Sequence, residues 1–164
     1  MRVIIAGGRT FNSVDVINKG TATFIKAVRR DDSLREYHNT PISCVVSGTA
    51  YGADYMGELH AKRNGIPIVQ YKPNWSVGKS AGFIRNAKMA NNADALLAFW
   101  DGVSRGTKHM IDLATSRKLP TIVIKYDRPP ESRLARIGED HMAFNFSWIE
   151  GDFRVFNFKK VPNE

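Results

Sequence analysis

The sequence has only one cysteine, Cys44, and it lies inside the apolar run ISCVVS. A lone cysteine excludes an intrachain disulfide framework and a cysteine-based zinc site, and it is typical of a protein in a reducing cytosol. The sequence also has no run approaching the roughly 18 consecutive apolar residues that a membrane-spanning helix needs. We therefore expect a cytoplasmic protein with no membrane partner.

Two common nucleotide-binding motifs are also missing. The glycine-rich segments match neither the G-x-G-x-x-G dinucleotide pattern nor the G-x-x-x-x-G-K-[ST] pattern of P-loop ATPases. The four histidines, His38, His60, His109 and His141, do not have metal-ligand spacing. We expect neither a metal nor a cofactor, and a phosphate site would have to be built from other loops.

Negative charge is scarce relative to positive charge. The chain has 24 Lys and Arg residues against 16 Asp and Glu residues, which gives a formal charge of +8. Such an excess attracts polyanions, both nucleic acid and phosphorylated small molecules. Several basic pairs also fall near the ends of predicted helices, where they complement the helix dipole. Charge alone does not choose between the two kinds of partner.

Short, continuously apolar runs alternate with segments of helical character along most of the chain. The predicted strands are residues 3–6, 42–47, 66–71, 95–100 and 121–124. The predicted helices are residues 14–30, 51–64, 80–91 and 107–118. Continuous apolar strands are typical of a parallel sheet covered on both faces. The sequence predicts an α/β fold, a Rossmann-like open parallel sheet of about five strands with helices on both faces.

The alternation stops after residue 126, which divides the chain in two. Residues 1–126 are predicted to form the Rossmann-like domain, and residues 127–164 a C-terminal extension packed on the same domain. Apolar and polar residues alternate around EGD in MAFNFSWIEGDFRVFNFKKV, which predicts a β-hairpin. Its aromatic residues either pack the hairpin onto the sheet edge or form a surface for bases. The polar segment 31–41 is predicted to be a surface loop.

Three glycine-bearing loops follow predicted strands: AGGRTF, SGTAYGAD and DGVSRGT. The carboxyl ends of parallel strands share one rim, so the loops are expected to form one site. Backbone without Cβ atoms can approach a phosphate closely, and a helix N-terminus attracts the anion. The candidate ligand-binding residues are Gly7, Gly8, Arg9, Ser47, Gly48, Thr49, Gly52, Gly102, Ser104, Arg105, Gly106 and Thr107. For any single glycine, a turn requiring positive φ is the simpler explanation, whereas the set as a whole favours phosphate binding.

Arg85 is the candidate charged clamp for this rim. It lies in the segment GKSAGFIRNAKM, one helical turn before Met89. An arginine in the second turn of that helix could offer a planar, two-pronged donor to a phosphate or carboxylate. The alternative is a surface arginine paired with a neighbouring acid.

The combination of SGTAYGAD, GKSAGFIRNAKM and GVSRGT resembles the YspA-like branch of the SLOG superfamily over residues 3–124. This Rossmann-like group includes the cytokinin-activating phosphoribohydrolases and the DNA-processing protein DprA. The resemblance implies a nucleotide-related ligand, a homo-oligomer, and a bacterial or phage source. The tail after Asp127 does not resemble either relative.

The phosphoribohydrolases cleave an N-glycosidic bond with the arginine of R-K-x-x-M and the glutamate of G-T-x-x-E. Arg85 and Met89 match the first motif, and Gly106 and Thr107 match the start of the second, but Met110 replaces the glutamate. A methionine cannot act as a base, so Asp54 and Glu58, one turn apart, are the candidate substitutes beside Arg85. The simpler explanation of Asp54 is an acid that caps the helix or complements its dipole. Asp101, just before the third loop, is a further carboxylate.

Two hypotheses follow from these patterns. In the first, the chain binds a nucleotide or nucleotide-derived small molecule at the rim, as a sensor or as an N-glycosidase-like hydrolase. In the second, it binds nucleic acid through its basic surface and the aromatic tail FRVFNFKK, as the DprA relatives suggest.

Overall fold

The computed structural model describes residues 1–126 and 146–149. Five parallel strands form the body of one sheet, and they are β1 (Arg2–Gly7), β2 (Cys44–Ser47), β3 (Ile68–Gln70), β4 (Ala95–Trp100) and β5 (Thr121–Tyr126). A sixth strand, β6 (Phe146–Ile149), pairs antiparallel with β5. The strand order is β3-β2-β1-β4-β5-β6. The predicted Rossmann-like α/β class is confirmed.

Four α-helices connect the parallel strands, and they are α1 (Val14–Arg30), α2 (Ala53–Arg63), α3 (Ala81–Asn91) and α4 (Arg105–Ser116). The first has the predicted bounds, because Ser13 caps it by accepting a hydrogen bond from the Val16 amide at 3.3 Å. The others differ from the predicted bounds by one or two residues at one or both ends. Segment 31–41 is not entirely loop, since it contains a short 3₁₀ helix, Asp32–Tyr37.

The helices cover both faces of the sheet. Alternate β1 residues point to opposite sides: Val3 and Ile5 pack with α1 and α2, whereas Ile4 and Ala6 pack with α3 and α4. All six residues of β4 are buried. Burial on both faces explains why these strands are continuously apolar in sequence.

The predicted C-terminal hairpin is only partly within the described residues. Strand β6 pairs with β5 from Val123 opposite Ile149 to Tyr126 opposite Phe146. Its predicted partner strand, after EGD, lies outside the described residues, as do the linker 127–145 and the side chains of the aromatic tail. In the described part of the chain, no helix combines the length and apolar character needed to cross a membrane.

Candidate functional site

The candidate site is a cavity of about 390 Å³ at the carboxyl ends of the strands. Strands β1 and β4 are neighbours in the sheet, but the helices that follow them, α1 and α4, cover opposite faces. The order in which strands are added to the sheet therefore reverses between β1 and β4. Open α/β sheets bind ligands in the crevice at such a reversal. The volume lies within the roughly 300 to 1,000 Å³ of small-molecule sites.

Seven of the residues predicted from the sequence line this cavity: Gly7, Arg9, Asp54, Arg85, Ser104, Gly106 and Thr107. The other predicted site residues are not part of its lining: Gly8, Ser47, Gly48, Thr49, Gly52, Glu58, Gly102 and Arg105. All three glycine loops therefore reach the rim, as expected, but each contributes only some of its residues.

The N-terminus of α4 forms one wall of the cavity. Ser104 caps the helix, because its hydroxyl lies 3.4 Å from the Thr107 amide and 2.9 Å from the Thr107 hydroxyl. Asp101 holds the preceding turn by accepting hydrogen bonds from the amides of Val103 and Ser104, at 3.0 and 2.8 Å. The first amides of a helix have no partner within it, so the amide of Gly106, which lines the cavity, can bind an anion.

Arg85, in the neighbouring helix α3, also lines the cavity, and the protein itself fixes its guanidinium. Nη1 donates a hydrogen bond to the Gly48 carbonyl, and Nε donates to Asn86 Oδ1 at 2.9 Å. Nη1 also lies 3.9 Å from Asp54 Oδ2. Burial lowers the pKa of Arg85, although Asp54 opposes the shift. Arg85 is therefore a partly buried, oriented cation rather than a mobile surface arginine.

Asn86 connects helices α3 and α4 at the cavity. Its side chain is buried; Oδ1 accepts the Arg85 hydrogen bond, and Nδ2 donates to the Gly106 carbonyl at 3.1 Å. Nδ2 also lies 3.3 Å from His109 Nδ1. The guanidinium in α3 and the N-terminus of α4 are thus tied together by one amide side chain.

Asp54 is the buried acid of the site. Desolvation by burial raises its pKa to about 6, opposed first by Arg85 and then by backbone hydrogen bonds from Ala50, Gly48 and Gly7. The Ala50 amide donates to Oδ2 at 3.3 Å. Asp54 therefore combines a pKa of about 6 with an ion pair to Arg85. This combination is not expected of an acid that only caps a helix.

Glu58 does not face the cavity with Asp54, contrary to the expectation from their spacing. Its carboxylate accepts hydrogen bonds from Ser47 Oγ at 2.7 Å and from Gln70 Nε2 at 3.0 Å. One helical turn shares a face but also advances about 6 Å along the axis, away from the rim. Glu58 therefore joins α2 to Ser47 in β2 and to Gln70 in β3.

Most of the loop glycines pack closely against the protein's own atoms. A Cβ at Gly7 would lie 2.8 Å from Ala53 Cβ, one at Gly48 2.6 Å from Arg85 Cζ, and one at Gly52 2.7 Å from Arg9 Cα. A Cβ at Gly8 would overlap the Tyr126 hydroxyl. Gly106 differs, because a Cβ there would meet nothing within 4 Å although the residue lines the cavity. Close approach by a ligand is thus possible at Gly106.

The floor of the cavity is apolar. Met110, which occupies the position of the phosphoribohydrolase glutamate, is buried and lines the cavity with Met89 and Ala6. Among the described residues, the lining contains two carboxylates, those of Asp54 and Asp101. A thioether floor offers shape and dispersion contacts to a ligand but no proton transfer.

Several lining residues were missed by the sequence analysis, among them Trp75, Lys79, Phe83 and Asn86. Trp75 and Lys79 belong to a short 3₁₀ helix, Trp75–Ser80, between β3 and α3. The signal that could have found them is the unusual run of aromatic and basic residues immediately before Arg85. Asn86 has no such signal, since its role depends on the approach of α4.

The chain is similar to a described protein family and to a phage protein. The profile of the YspA, cpYpsA-related SLOG family, abbreviated YAcAr, matches residues 1–78. Gene 61 protein of Mycobacterium phage D29 is 35% identical over 95 residues, which span 53% of this chain and 76% of the phage protein.

A solved structure of DNA processing protein A from Helicobacter pylori, described for its single-stranded DNA binding mode, superposes with a TM-score of 0.48 at 18% identity. The superposition covers 75% of this chain and 64% of the other, so the chain spans less than two thirds of that protein.

Proposed function

This chain belongs to the YspA, cpYpsA-related SLOG family, and we propose that it binds a nucleotide or nucleotide-derived small molecule in the cavity between β1 and β4. The observation that carries the proposal is the convergence of two anion-binding features on one cavity. These are the open backbone at Gly106, at the N-terminus of α4, and the fixed guanidinium of Arg85. Arg9 and Lys79 add positive charge to the same lining.

In this proposal the chain binds its ligand without cleaving an N-glycosidic bond. Met110 offers no acid or base where the phosphoribohydrolases have glutamate. Asp54 is held by amides and Arg85, and Asp101 Oδ1 is engaged by two amides. A sensor or carrier fits this lining better than a hydrolase does. Release of free base from a bound nucleotide, followed by chromatography, would refute this part of the proposal.

The variant Gly106→Leu tests the proposed anion position. Leucine is a better helix former than glycine and meets no protein atom near its Cβ, so the fold should be kept or slightly stabilised. Its side chain should fill the space of the phosphate. We expect calorimetric titration with nucleoside monophosphates, cyclic nucleotides and ADP-ribose to detect binding by the natural chain and at least a tenfold loss in the variant.

Asp112→Leu, on the exposed face of the same helix, is the matched control and should bind as the natural chain does. Native mass spectrometry of the purified protein would identify a co-purifying nucleotide and also report whether the chain is a homo-oligomer, as the family resemblance suggests. Undiminished binding by Gly106→Leu would contradict an anion at this helix end.

Nucleic-acid binding is the second candidate function. It is favoured by the net charge of +8 and by the exposed Trp75 and Phe83 beside Lys79, since aromatic faces and cations together bind single strands. Gel-shift titration with a single-stranded oligonucleotide at several salt concentrations tests it, because phosphate-backbone contacts must weaken steeply as salt increases. Absent or salt-independent binding would remove this candidate.

A further inference from the structure

Exposed aromatic side chains are concentrated near the cavity. Tyr51, Tyr55, Trp75 and Phe83 are all at least partly open to solvent, and two of them, Trp75 at 59% exposure and Phe83 at 44%, also line the cavity. Large aromatic surfaces in water indicate a binding role more often when they border a polar pocket than when they are scattered singly. The lining is thus cationic and aromatic on the same side.

Local structure positions the turn that carries Trp75 and the ring of Phe83. Asn74 caps the turn that carries Trp75, accepting a hydrogen bond from the Ser76 amide at 3.1 Å. Phe83 lies in the first turn of α3, and its ring packs edge-on against His109 of α4, with 4.5 Å between the ring centroids. Lys79 lies between the two aromatic residues in the chain and lines the same cavity.

We propose that Trp75 and Phe83 form a subsite that stacks the base of the bound molecule. This inference rests on the proposed function and names its ligand more closely, as a nucleotide with the base intact rather than a sugar phosphate or inorganic phosphate. Every base has a flat face that stacks on aromatic rings, whatever its hydrogen-bonding edge. The N-terminus of α4 and Arg85 then hold the phosphate.

The rest of the lining agrees with separate positions for the base and the phosphate. Met89, Met110 and Ala6 make the floor apolar, which suits a base or the ribose carbon skeleton. A purely apolar ligand would leave Arg9, Lys79 and Arg85 facing apolar surface. Inorganic phosphate would make no stacking contact with Trp75 or Phe83.

Calorimetric titration of the full chain with AMP, GMP, CMP, UMP and ribose 5-phosphate tests the subsite. We expect at least one nucleotide to bind about tenfold or more tightly than ribose 5-phosphate. Trp75→Ala and Phe83→Ala should each lower the affinity for the nucleotide until it approaches the affinity for ribose 5-phosphate. The affinity for ribose 5-phosphate should not change. Trp75→Tyr should retain most of the nucleotide's advantage.

Tyr51→Ala is the matched control, because Tyr51 is 83% exposed but does not line the cavity, and it should bind all five compounds as the natural chain does. Equal affinity for nucleotides and ribose 5-phosphate, or equal weakening of both by the aromatic variants, would overturn the subsite while leaving the proposed function intact. If none of the five compounds binds and the Gly106→Leu titrations also detect no ligand, the proposed function fails and the subsite fails with it.

Discussion

Replacing Arg85 by methionine is expected to abolish ligand binding and to lower the free energy of unfolding at pH 8 by about 3 kcal/mol or more. Both members of the Arg85–Asp54 pair are largely buried, with side-chain exposures of 15% and 4%. Without the guanidinium, the Asp54 carboxylate loses its charge partner and its pKa should rise further above about 6.

The raised pKa of Asp54 predicts how the stability lost in Arg85→Met depends on pH. Because the pKa of Asp54 is higher in the folded protein than in the unfolded chain, its contribution to stability is fully present below the unfolded value of 3.8 and is lost as the pH rises through about 6. In Arg85→Met the loss should extend to higher pH. The variant should therefore recover part of its stability at pH 5, as measured by urea unfolding.

Two further measurements separate the charge effect from simple loss of packing. Asp54→Asn combined with Arg85→Met should remove most of the pH dependence that Arg85→Met adds, since the carboxylate facing Arg85 is gone and Glu58, the other buried carboxylate among the described residues, keeps its hydrogen bonds to Ser47 and Gln70. Carbon-13 NMR of the Asp54 carboxyl should give a midpoint near 6 in the natural chain and a higher one in Arg85→Met. Equal destabilisation of Arg85→Met at pH 5 and pH 8 would refute the charge explanation.

Among glycine-to-alanine substitutions in the loops, Gly52→Ala is expected to lower the free energy of unfolding most. Gly52 has φ of 84°, and a Cβ there would overlap the Gly8 carbonyl and lie 2.7 Å from Arg9 Cα. That backbone cannot easily yield, because the Gly8 carbonyl accepts from the amides of Phe11 and Ala53, at 3.2 and 3.3 Å. We expect the free energy of unfolding to fall by about 3 kcal/mol or more.

Gly102→Ala is the matched control for backbone strain alone. Its φ of 83° is nearly the same, but a Cβ would meet nothing within 4 Å. The left-handed conformation should cost it about 1 kcal/mol. Urea unfolding of the two variants should therefore differ by about 2 kcal/mol, and equal losses would show that the contact between the first two loops is not tight.

The fold was largely predictable because buried parallel strands and amphipathic helices leave periodic signals. The errors lie at the ends of elements, where tertiary contacts decide. The predicted strand 42–47 begins only at Cys44, where pairing with Arg2 begins. The helix expected from residue 51 begins at Ala53, because Gly52 adopts a positive φ, and the helix expected from residue 107 begins at Arg105, because Ser104 caps it.

The site was less predictable, and the reason is geometric. Arg85, Asp54 and the loop after β4 were found because strand ends and helical spacing place residues near a rim. Those rules do not say which atoms fill the space, so Glu58 was assigned to the rim although it bonds to Ser47 and Gln70. Asn86 was overlooked because its contact with Gly106 joins residues 20 positions apart on two helices.

The loop glycines, which look alike in the sequence, are required for different reasons. Gly7, Gly8, Gly48 and Gly52 let neighbouring segments of the chain touch, whereas Gly106 leaves room for something else. Among diverged homologues the first four should persist wherever the architecture persists. A homologue that keeps these four glycines but has a bulky residue at position 106 should have the same fold and no longer bind the ligand.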